Sequence, residues 1–173
     1  MKKYEFTGEV KQWFGHTLHQ IRALVAFGAV DAGEIGGWIE REENLAHDGN
    51  AWVYCNALVS GDARVSGDAL VYGNAWVYGN ARVSGNAQVC NQDHWLCIGP
   101  IGSRDDFTTF FREASGQIAV KCGCFYGNID AFADKVLSTH GDTPHAKVYM
   151  TAIELAKARI NLSEEGGTSD AGA

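Results

Sequence analysis

The sequence predicts a mainly β protein with a short parallel β-helix at its centre and a small α+β domain at its C-terminal end. Three observations support this fold class. A six-residue pattern repeats through the middle of the chain, 21 glycines and only 2 prolines mark frequent turns, and the pattern stops near residue 94. Strand-like and helix-like segments of ordinary character follow that point.

The repeat begins at Gly49 and runs through seven consecutive units of the form Gly-(Asn or Asp)-Ala-x-Val-x, with Cys55 alone departing at the glycine position. Alanine and valine stand two residues apart and therefore share one face of a strand. Gly-Asn and Gly-Asp favour turns because both tolerate a positive φ. Each unit thus predicts a short strand and a corner, and three units complete one triangular coil. The residues predicted to point inward are Val53, Val59, Val65, Val71, Val77, Val83 and Val89.

Side chains 18 residues apart should line up on the outside of such a coil. Two of the three outward faces are then apolar and aromatic, and the third carries Arg64 and Arg82. Large exposed apolar patches usually mark an interface, so we expect these faces to pack against sister chains. The alternative is that the flanking segments of the same chain cover them. The predicted interface residues are Trp52, Tyr54, Leu58, Leu70, Tyr72, Trp76 and Tyr78.

The flanking segments divide the chain into predicted domains. Residues 1–34 form a β cap, residues 35–94 the β-helix, residues 95–162 the α+β domain and residues 163–173 a disordered tail. Asn128 and Thr143-Pro144 are typical helix starts, and Gly141 is a typical helix end. The apolar face of the second helix is predicted at Val148, Ala152, Leu155 and Ile160, with Tyr149, Ile153 and Ala156 beside it. The three strands of this domain are predicted at Cys97–Gly102, Thr108–Arg112 and Gln117–Phe125.

Composition limits the function classes. The net charge is −7 and no Lys/Arg run is present, so the sequence gives no strong case for nucleic-acid binding. No segment has the length and hydropathy of a membrane span, which predicts a cytoplasmic protein without membrane partners. The five cysteines are expected to be reduced. Cys122 and Cys124 lack a second cysteine pair, so neither a metal site nor a cofactor is predicted.

The C-terminal domain contains the best candidate ligand site. Ser103 and Arg104 lie in a glycine-rich turn whose amides and guanidinium suit a phosphate. The second helix begins near His140, His145 and Lys147, and helix N-termini favour anions. The alternative is that both segments are ordinary connections. The remaining candidates are Arg112 and Lys121, which would hold phosphate, and Phe125 and Tyr126, which would stack a base.

The repeat resembles the left-handed hexapeptide β-helix family, which implies a left-handed coil and a homotrimer or a multiple of one. The segments GGWIEREENL, GNAWVY, IGPIGSR and CGCFYG also resemble uncharacterised hexapeptide-repeat proteins of enterobacterial phages and prophages. This second resemblance covers roughly residues 1–160. It implies a setting in the host bacterial cytosol and carries no established activity.

Taken together, these features favour a non-catalytic, phage-type homo-oligomeric binding protein that counteracts host defence by sequestering a small nucleotide signal. One alternative is an inhibitor that binds a host defence protein, or an accessory or structural phage protein. Another is an acyltransferase, because many hexapeptide β-helix enzymes transfer acyl groups with a histidine base. His47 and His94, at the two ends of the coil, are the candidate bases. The short coil, without an inserted loop, favours the binding function.

Overall fold

A computed structural model describes residues 1–163, so the predicted disordered tail lies outside the described residues apart from Ser163. The described chain is mainly β, with two helices near its C-terminal end. Neither of these helices, within residues 1–163, is long and apolar enough to cross a membrane. The chain begins with three strands, β1 (Tyr4–Trp13), β2 (His16–Ala23) and β3 (Ile35–Ile39).

The hexapeptide units form a β-solenoid. Each unit contributes a two-residue strand that pairs in parallel with the strand 18 residues further along, so the predicted side-chain ladders are confirmed. Leu70, for example, lies between Trp52 and Gln88, and Arg64 pairs with Arg82. The strands are β4 (Trp52–Val53), β5 (Leu58–Val59), β6 (Arg64–Val65), β7 (Leu70–Val71), β8 (Trp76–Val77), β9 (Arg82–Val83) and β10 (Gln88–Val89).

The solenoid interior is a column of small aliphatic side chains. All seven repeat valines, from Val53 to Val89, are completely buried, and so are the repeat alanines from Ala51 to Ala87. Backbone hydrogen bonds join the coils, as where Leu58 N donates to Ala75 O at 2.9 Å and Ser60 N donates to Val77 O at 3.0 Å. Because each unit leaves its valine and alanine on one side of a two-residue strand, the period fixes which side chains are buried.

The N-terminal strands extend one face of the solenoid. β1 pairs antiparallel with β2, β2 pairs antiparallel with β3, and β3 pairs in parallel with β5. The sheet on this face therefore has the order β1-β2-β3-β5-β8. The edge of β3 that faces away from β5 is therefore paired with β2 and not left open.

The same N-terminal segment covers part of the predicted oligomer interface. Trp52 is completely buried, with the rings of Tyr4 and Phe27 at 6.2 and 5.4 Å from its own ring. Leu58 is 5% exposed. The prediction that these two side chains face a sister chain is wrong, because their own chain covers them. For the partly exposed or exposed members, the interface stays a prediction: Tyr54, Leu70, Tyr72, Trp76 and Tyr78.

A four-stranded antiparallel sheet follows the solenoid in the order β11-β12-β13-β14. The sequence predicted three strands here and a single strand over Gln117–Phe125. That segment instead contains two strands, because a turn at Gly123, with a φ of +55°, reverses the chain. The strands are β11 (Trp95–Ile101), β12 (Asp106–Arg112), β13 (Ile118–Cys122) and β14 (Phe125–Asn128).

This sheet lies between the end of the solenoid and the two helices. Phe111 and Ala119, on one side, belong to the same buried cluster as the solenoid valines. Phe110 and Val120, on the other side, pack against the helices. The helices are α1 (Ile129–His140) and α2 (Pro144–Arg159).

The predicted helix ends are confirmed, and the predicted apolar face of α2 is buried except at Val148 and Leu155. The side chains of Asn128 and Thr143 accept hydrogen bonds from backbone N–H groups of the first turns of α1 and α2, and Gly141 follows the end of α1. Val148 and Leu155 are 44% and 51% exposed. The buried face is therefore centred on the side that carries Tyr149, Ile153 and Ala156. The residues that α2 buries are Ala146, Tyr149, Ala152, Ile153 and Ala156.

Candidate functional site

The four residues predicted to hold phosphate lie on different elements of the C-terminal sheet. The Arg112 guanidinium lies beside the buried His94, with Nη1 at 3.3 Å from Nε2. Lys121 lines a cleft with Arg64 and Arg82 on the polar face of the solenoid. Ser103 and Arg104 are exposed in the turn between β11 and β12. Arg112 and Lys121 therefore have different surroundings, and a joint phosphate site of the four residues stays a prediction.

The predicted helix-terminus residues lie near the Tyr149 ring. The His140 ring stacks on it at 5.7 Å, and His145 lies 6.1 Å from His140. Burial raises the pKa of Tyr149 to about 12, with smaller contributions from Cys122 and Asp106, while the charge of Arg104 acts in the opposite direction. The loop between the helices thus lies close to the Ser103–Arg104 turn, and Lys147 is exposed on the first turn of α2.

The two aromatic residues predicted to stack a base already have partners in the fold. Phe125 packs against Phe132 at 5.1 Å in the core between the sheet and the helices. Tyr126 stacks against Phe111, and its hydroxyl donates to the carboxylate of Glu113. Their role in ligand binding, like that of the other residues predicted in this domain, stays a prediction.

The two histidines considered as acyl-transfer bases have unfavourable surroundings for that role. His94 is completely buried, and Cys90 N–H donates to its Nδ1 at 3.3 Å. His47 Nδ1 accepts a hydrogen bond from Lys3 N–H at 3.2 Å. The neutral His47 ring therefore carries its proton on Nε2, which leaves this nitrogen without the lone pair that a general base requires.

A third histidine has the geometry of a general base. His16 Nδ1 lies 3.1 Å from Glu40 Oε2, and the two side chains are 33% and 26% exposed. The Glu40 carboxylate is ionised and can only accept, so Nδ1 carries the proton and donates it to Glu40. The Nε2 atom of the neutral ring is then the nitrogen with a lone pair. This is the arrangement in which a carboxylate orients a histidine for proton abstraction.

The surroundings of Glu40 keep it ionised. Burial by itself would raise the pKa of Glu40, but the Gly61 N–H and His16 donate hydrogen bonds to it, and the charges of His16 and Arg41 add to their effect. The net result is a pKa below the ordinary value. Gly61 N–H donates at 2.6 Å to Oε2, the same oxygen that contacts His16. The carboxylate is thus held at a corner of the solenoid while it orients the imidazole.

Aromatic side chains lie next to this pair. The ring of Trp76 is 6.3 Å from that of His16, and its indole Nε1 donates to Ser60 Oγ at 2.8 Å. Phe14, in the hairpin turn before His16, stacks on Trp76 with ring centroids 5.5 Å apart. We refer to these rings as the aromatic wall, which consists of Trp13, Phe14, Trp76 and Tyr78. Phe14 is 78% exposed and Tyr78 43%, so the wall is open to solvent.

Sequence reasoning did not find the His16–Glu40 pair. The two residues are 24 positions apart, and the segment GGWIEREENL that contains Glu40 carries no known chemical role. The antiparallel register of β2 and β3 pairs His19 with Ile39, and it brings the start of β2 beside the residue that follows β3. Within residues 1–163, no group of three or more His, Cys, Asp and Glu side chains is arranged to hold a metal ion.

Comparisons with known proteins agree with the solenoid. Residues 63–79 and 75–91 match the model of a family described as YdcK Beta solenoid repeat. The protein is therefore a repeat-based β-solenoid protein.

One relative is described as an uncharacterized acetyltransferase, YdcK, from Escherichia coli (strain K12), and is 51% identical over 45 residues. These residues are 25% of this chain and 14% of the relative, so the chain spans only a small part of that protein's length. The similarity contradicts the predicted non-catalytic protein that sequesters a nucleotide, and it favours the acyltransferase alternative.

Proposed function

We propose that this protein is an acyltransferase that moves an acyl group from a thioester donor to a hydroxyl or amine acceptor, with His16 as the general base. The observation that carries the proposal is the 3.1 Å contact between His16 Nδ1 and Glu40 Oε2, which directs the lone pair of Nε2 away from the carboxylate. The description of the Escherichia coli relative as an acetyltransferase supports the choice of reaction.

The reaction assigns one role to each member of the pair. His16 Nε2 removes the proton from the acceptor as its oxygen or nitrogen attacks the thioester carbonyl carbon. The bond from the carbonyl carbon to sulfur then breaks, and the protonated imidazole returns the proton to the departing thiolate. Glu40 stabilises the transient imidazolium through the Nδ1–H hydrogen bond and keeps the tautomer fixed. The products are an acylated acceptor and a free thiol.

The aromatic wall offers a binding surface next to this base. Trp76 is fixed by its hydrogen bond to Ser60, and Phe14 lies nearly parallel to it, with 15° between the ring planes. Burial of apolar ligand atoms against such rings is favourable by roughly 25 cal/mol per Å². An acyl thioester with an extended, largely apolar arm is the substrate class that suits this surface.

The proposal includes a homotrimer and a left-handed coil, as the resemblance to hexapeptide β-helices implies. The exposed rings of Phe14 and Tyr78 support an assembly in which a neighbouring subunit covers the aromatic wall. The catalytic pair would then lie at a subunit boundary, where closure excludes water. Analytical ultracentrifugation measures the subunit number, and a monomer at micromolar concentration would contradict this part. The phage setting and the cytosolic location stay predictions.

Thiol release from acetyl- and longer acyl-thioester donors, with a panel of amines and hydroxyl compounds as acceptors, tests the reaction. His16→Asn should reduce turnover by about 10²- to 10⁴-fold, the usual contribution of a general base. Glu40→Gln should reduce turnover less than His16→Asn does, because an amide oxygen still accepts a hydrogen bond from Nδ1–H but does not stabilise the charge of the imidazolium.

His19→Asn is the matched control. His19 lies on the same strand three residues later, and its ring stacks on Phe6 at 4.7 Å rather than contacting a carboxylate. Turnover of this variant should equal that of the wild type. Turnover that survives His16→Asn, or that is absent from the wild type with every donor and acceptor pair, would refute the proposed reaction.

A further inference from the structure

The polar face of the solenoid contains a cleft of about 610 Å³ that the proposed reaction does not use. It begins at the corner formed by residues 42–47, follows the stacked strands β6 and β9, and ends at the C-terminal sheet. We name it the arginine cleft; its polar lining includes Arg64, Arg82, Ser66, Ser84, Lys121 and His47.

Two arginines are stacked along the cleft. Arg64 and Arg82 are register partners in adjacent parallel strands, and such strands are about 4.8 Å apart. Among residues 1–163, neither guanidinium has a carboxylate within 4.0 Å, and Arg82 Nη1 donates only to a backbone oxygen, that of Asp62, at 3.0 Å. Like charges on neighbouring strands repel each other, so a bound anion between them would remove an unfavourable interaction.

A third cation joins them because of how the sheet is attached to the solenoid. Arg82 N–H donates to the hydroxyl of Thr109 at 2.9 Å, which fixes β12 beneath β9. Thr109 is the register partner of Lys121 in the neighbouring strand β13. Lys121 therefore extends the row of positive charges begun by Arg64 and Arg82. The sequence had instead grouped Lys121 with Ser103, Arg104 and Arg112.

The acidic side chains of the cleft belong to the corner that contacts β6. Glu42 and Glu43 belong to the N-terminal corner, and Lys2 pairs with Glu42 at 2.6 Å. The Lys2 hydrogen bond, partly opposed by burial, lowers the pKa of Glu42. Lys2 thus balances the carboxylate charge of Glu42, whereas Glu43 also lines a neighbouring pocket with Arg64 and Arg82. The lining side chains of the arginine cleft that come from the stacked units and the C-terminal sheet are cationic, hydroxyl or apolar.

We propose that the arginine cleft binds a small ligand that carries two or more phosphate groups. Guanidinium groups recognise phosphate with paired hydrogen bonds, and Ser66 and Ser84 add two hydroxyl donors on the same stacked strands. A spacing of one strand between the two guanidiniums suits neighbouring phosphates better than a single one. The site is independent of the His16–Glu40 pair and stands whether or not the protein transfers acyl groups.

Calorimetric titration with inorganic pyrophosphate, with monophosphate for comparison, tests the site. Pyrophosphate should bind at least tenfold more tightly than monophosphate, and its affinity should fall as the salt concentration rises. Arg82→Ala and Arg64→Ala should each weaken pyrophosphate binding at least tenfold. Arg82→Lys should lie between wild type and Arg82→Ala, because it keeps the charge and loses the paired geometry.

Two further variants make the outcome decisive. Lys135→Ala removes one exposed positive charge on α1, away from the cleft, and should leave pyrophosphate affinity unchanged. Arg104→Ala tests the turn predicted from the sequence. Loss of binding in Arg104→Ala but not in Arg82→Ala would overturn the proposed site, as would an equal loss in Lys135→Ala or no binding by the wild type. Circular dichroism of each variant verifies that the solenoid has folded.

Discussion

Two corner glycines with nearly identical φ angles allow the contribution of coil stacking to stability to be measured. Gly49 has a φ of +68° and Gly79 a φ of +66°, both in the left-handed region that side chains with a Cβ rarely adopt. A Cβ on Gly49 would lie 2.5 Å from the backbone oxygen of Gly67 in the next coil, whereas a Cβ on Gly79 would have nothing within 4 Å. The two alanine variants therefore share the strain and differ in the contact.

The shared part of the effect follows from the backbone angle. An L-residue in this region costs about 1–2 kcal/mol, and replacing glycine recovers about 0.4–1 kcal/mol from the unfolded chain. Gly79→Ala should therefore lose about 1 kcal/mol of unfolding free energy.

The contact adds to the loss at Gly49. Gly67 O accepts hydrogen bonds from Asn50 N and Ala51 N, both at 2.8 Å, so a shift that relieves the contact disturbs both bonds. With about 1 kcal/mol for each hydrogen bond, added to the strain shared with Gly79→Ala, Gly49→Ala should lose about 3 kcal/mol of unfolding free energy.

Urea unfolding followed by circular dichroism, with thermal melts in parallel, measures both variants. For a chain of this size each kcal/mol corresponds to about 2–4 °C in Tm. Cys55→Gly provides a test of sign, because Cys55 occupies the glycine position with a φ of +48° and its replacement should stabilise the protein slightly. Equal losses for Gly49→Ala and Gly79→Ala would refute the reasoning from coil stacking, and a destabilised Cys55→Gly would refute the reasoning from backbone strain.

Two other predictions concern the ends of the solenoid. Phe111→Ala should lower the free energy of unfolding, measured in urea, by about 3–5 kcal/mol, because this completely buried ring lies in the same core as the solenoid valines. Phe14→Ala, at a 78% exposed ring, should lower it by under about 1 kcal/mol. Equal losses for the two variants would contradict the packing. Burial lowers the pKa of Lys3 from 10.5 to about 8, and the charge of Asp48 acts in the opposite direction. Between pH 8 and pH 10.5 the unfolded chain therefore holds a proton on Lys3 that the folded chain has released. Stability should therefore rise with pH across this interval relative to a Lys3→Met variant, and parallel unfolding curves for the two proteins would contradict the expectation.

The solenoid was predictable because its information is local and repeated. A glycine that accepts a positive φ, an alanine and a valine two residues later specify a corner and a strand in every unit, and identical units stack in one register. The helix starts at Asn128 and Thr143 were predictable for a similar reason, since a capping side chain acts on the N–H groups of its own first turn.

The candidate site depends on contacts that no local pattern contains. His16 and Glu40 meet because β2 pairs antiparallel with β3, and Lys121 joins Arg64 and Arg82 because Thr109 attaches the C-terminal sheet to the last coils. The predicted set of Arg104, Arg112 and Lys121 was assembled from proximity along the sequence, and the sheet distributes these residues to different places.

A six-residue period and the two-residue alternation of a strand are enough to predict the repeat, the inward valines and the outward ladders. Which ladder residues are covered, as at Trp52 beneath Tyr4 and Phe27, and which charged groups meet could be read only from the folded chain. The physical reason is that burial and pairing between distant segments depend on how sheets and hairpins dock, and docking is set by the packing of whole faces rather than by any one residue and its neighbours.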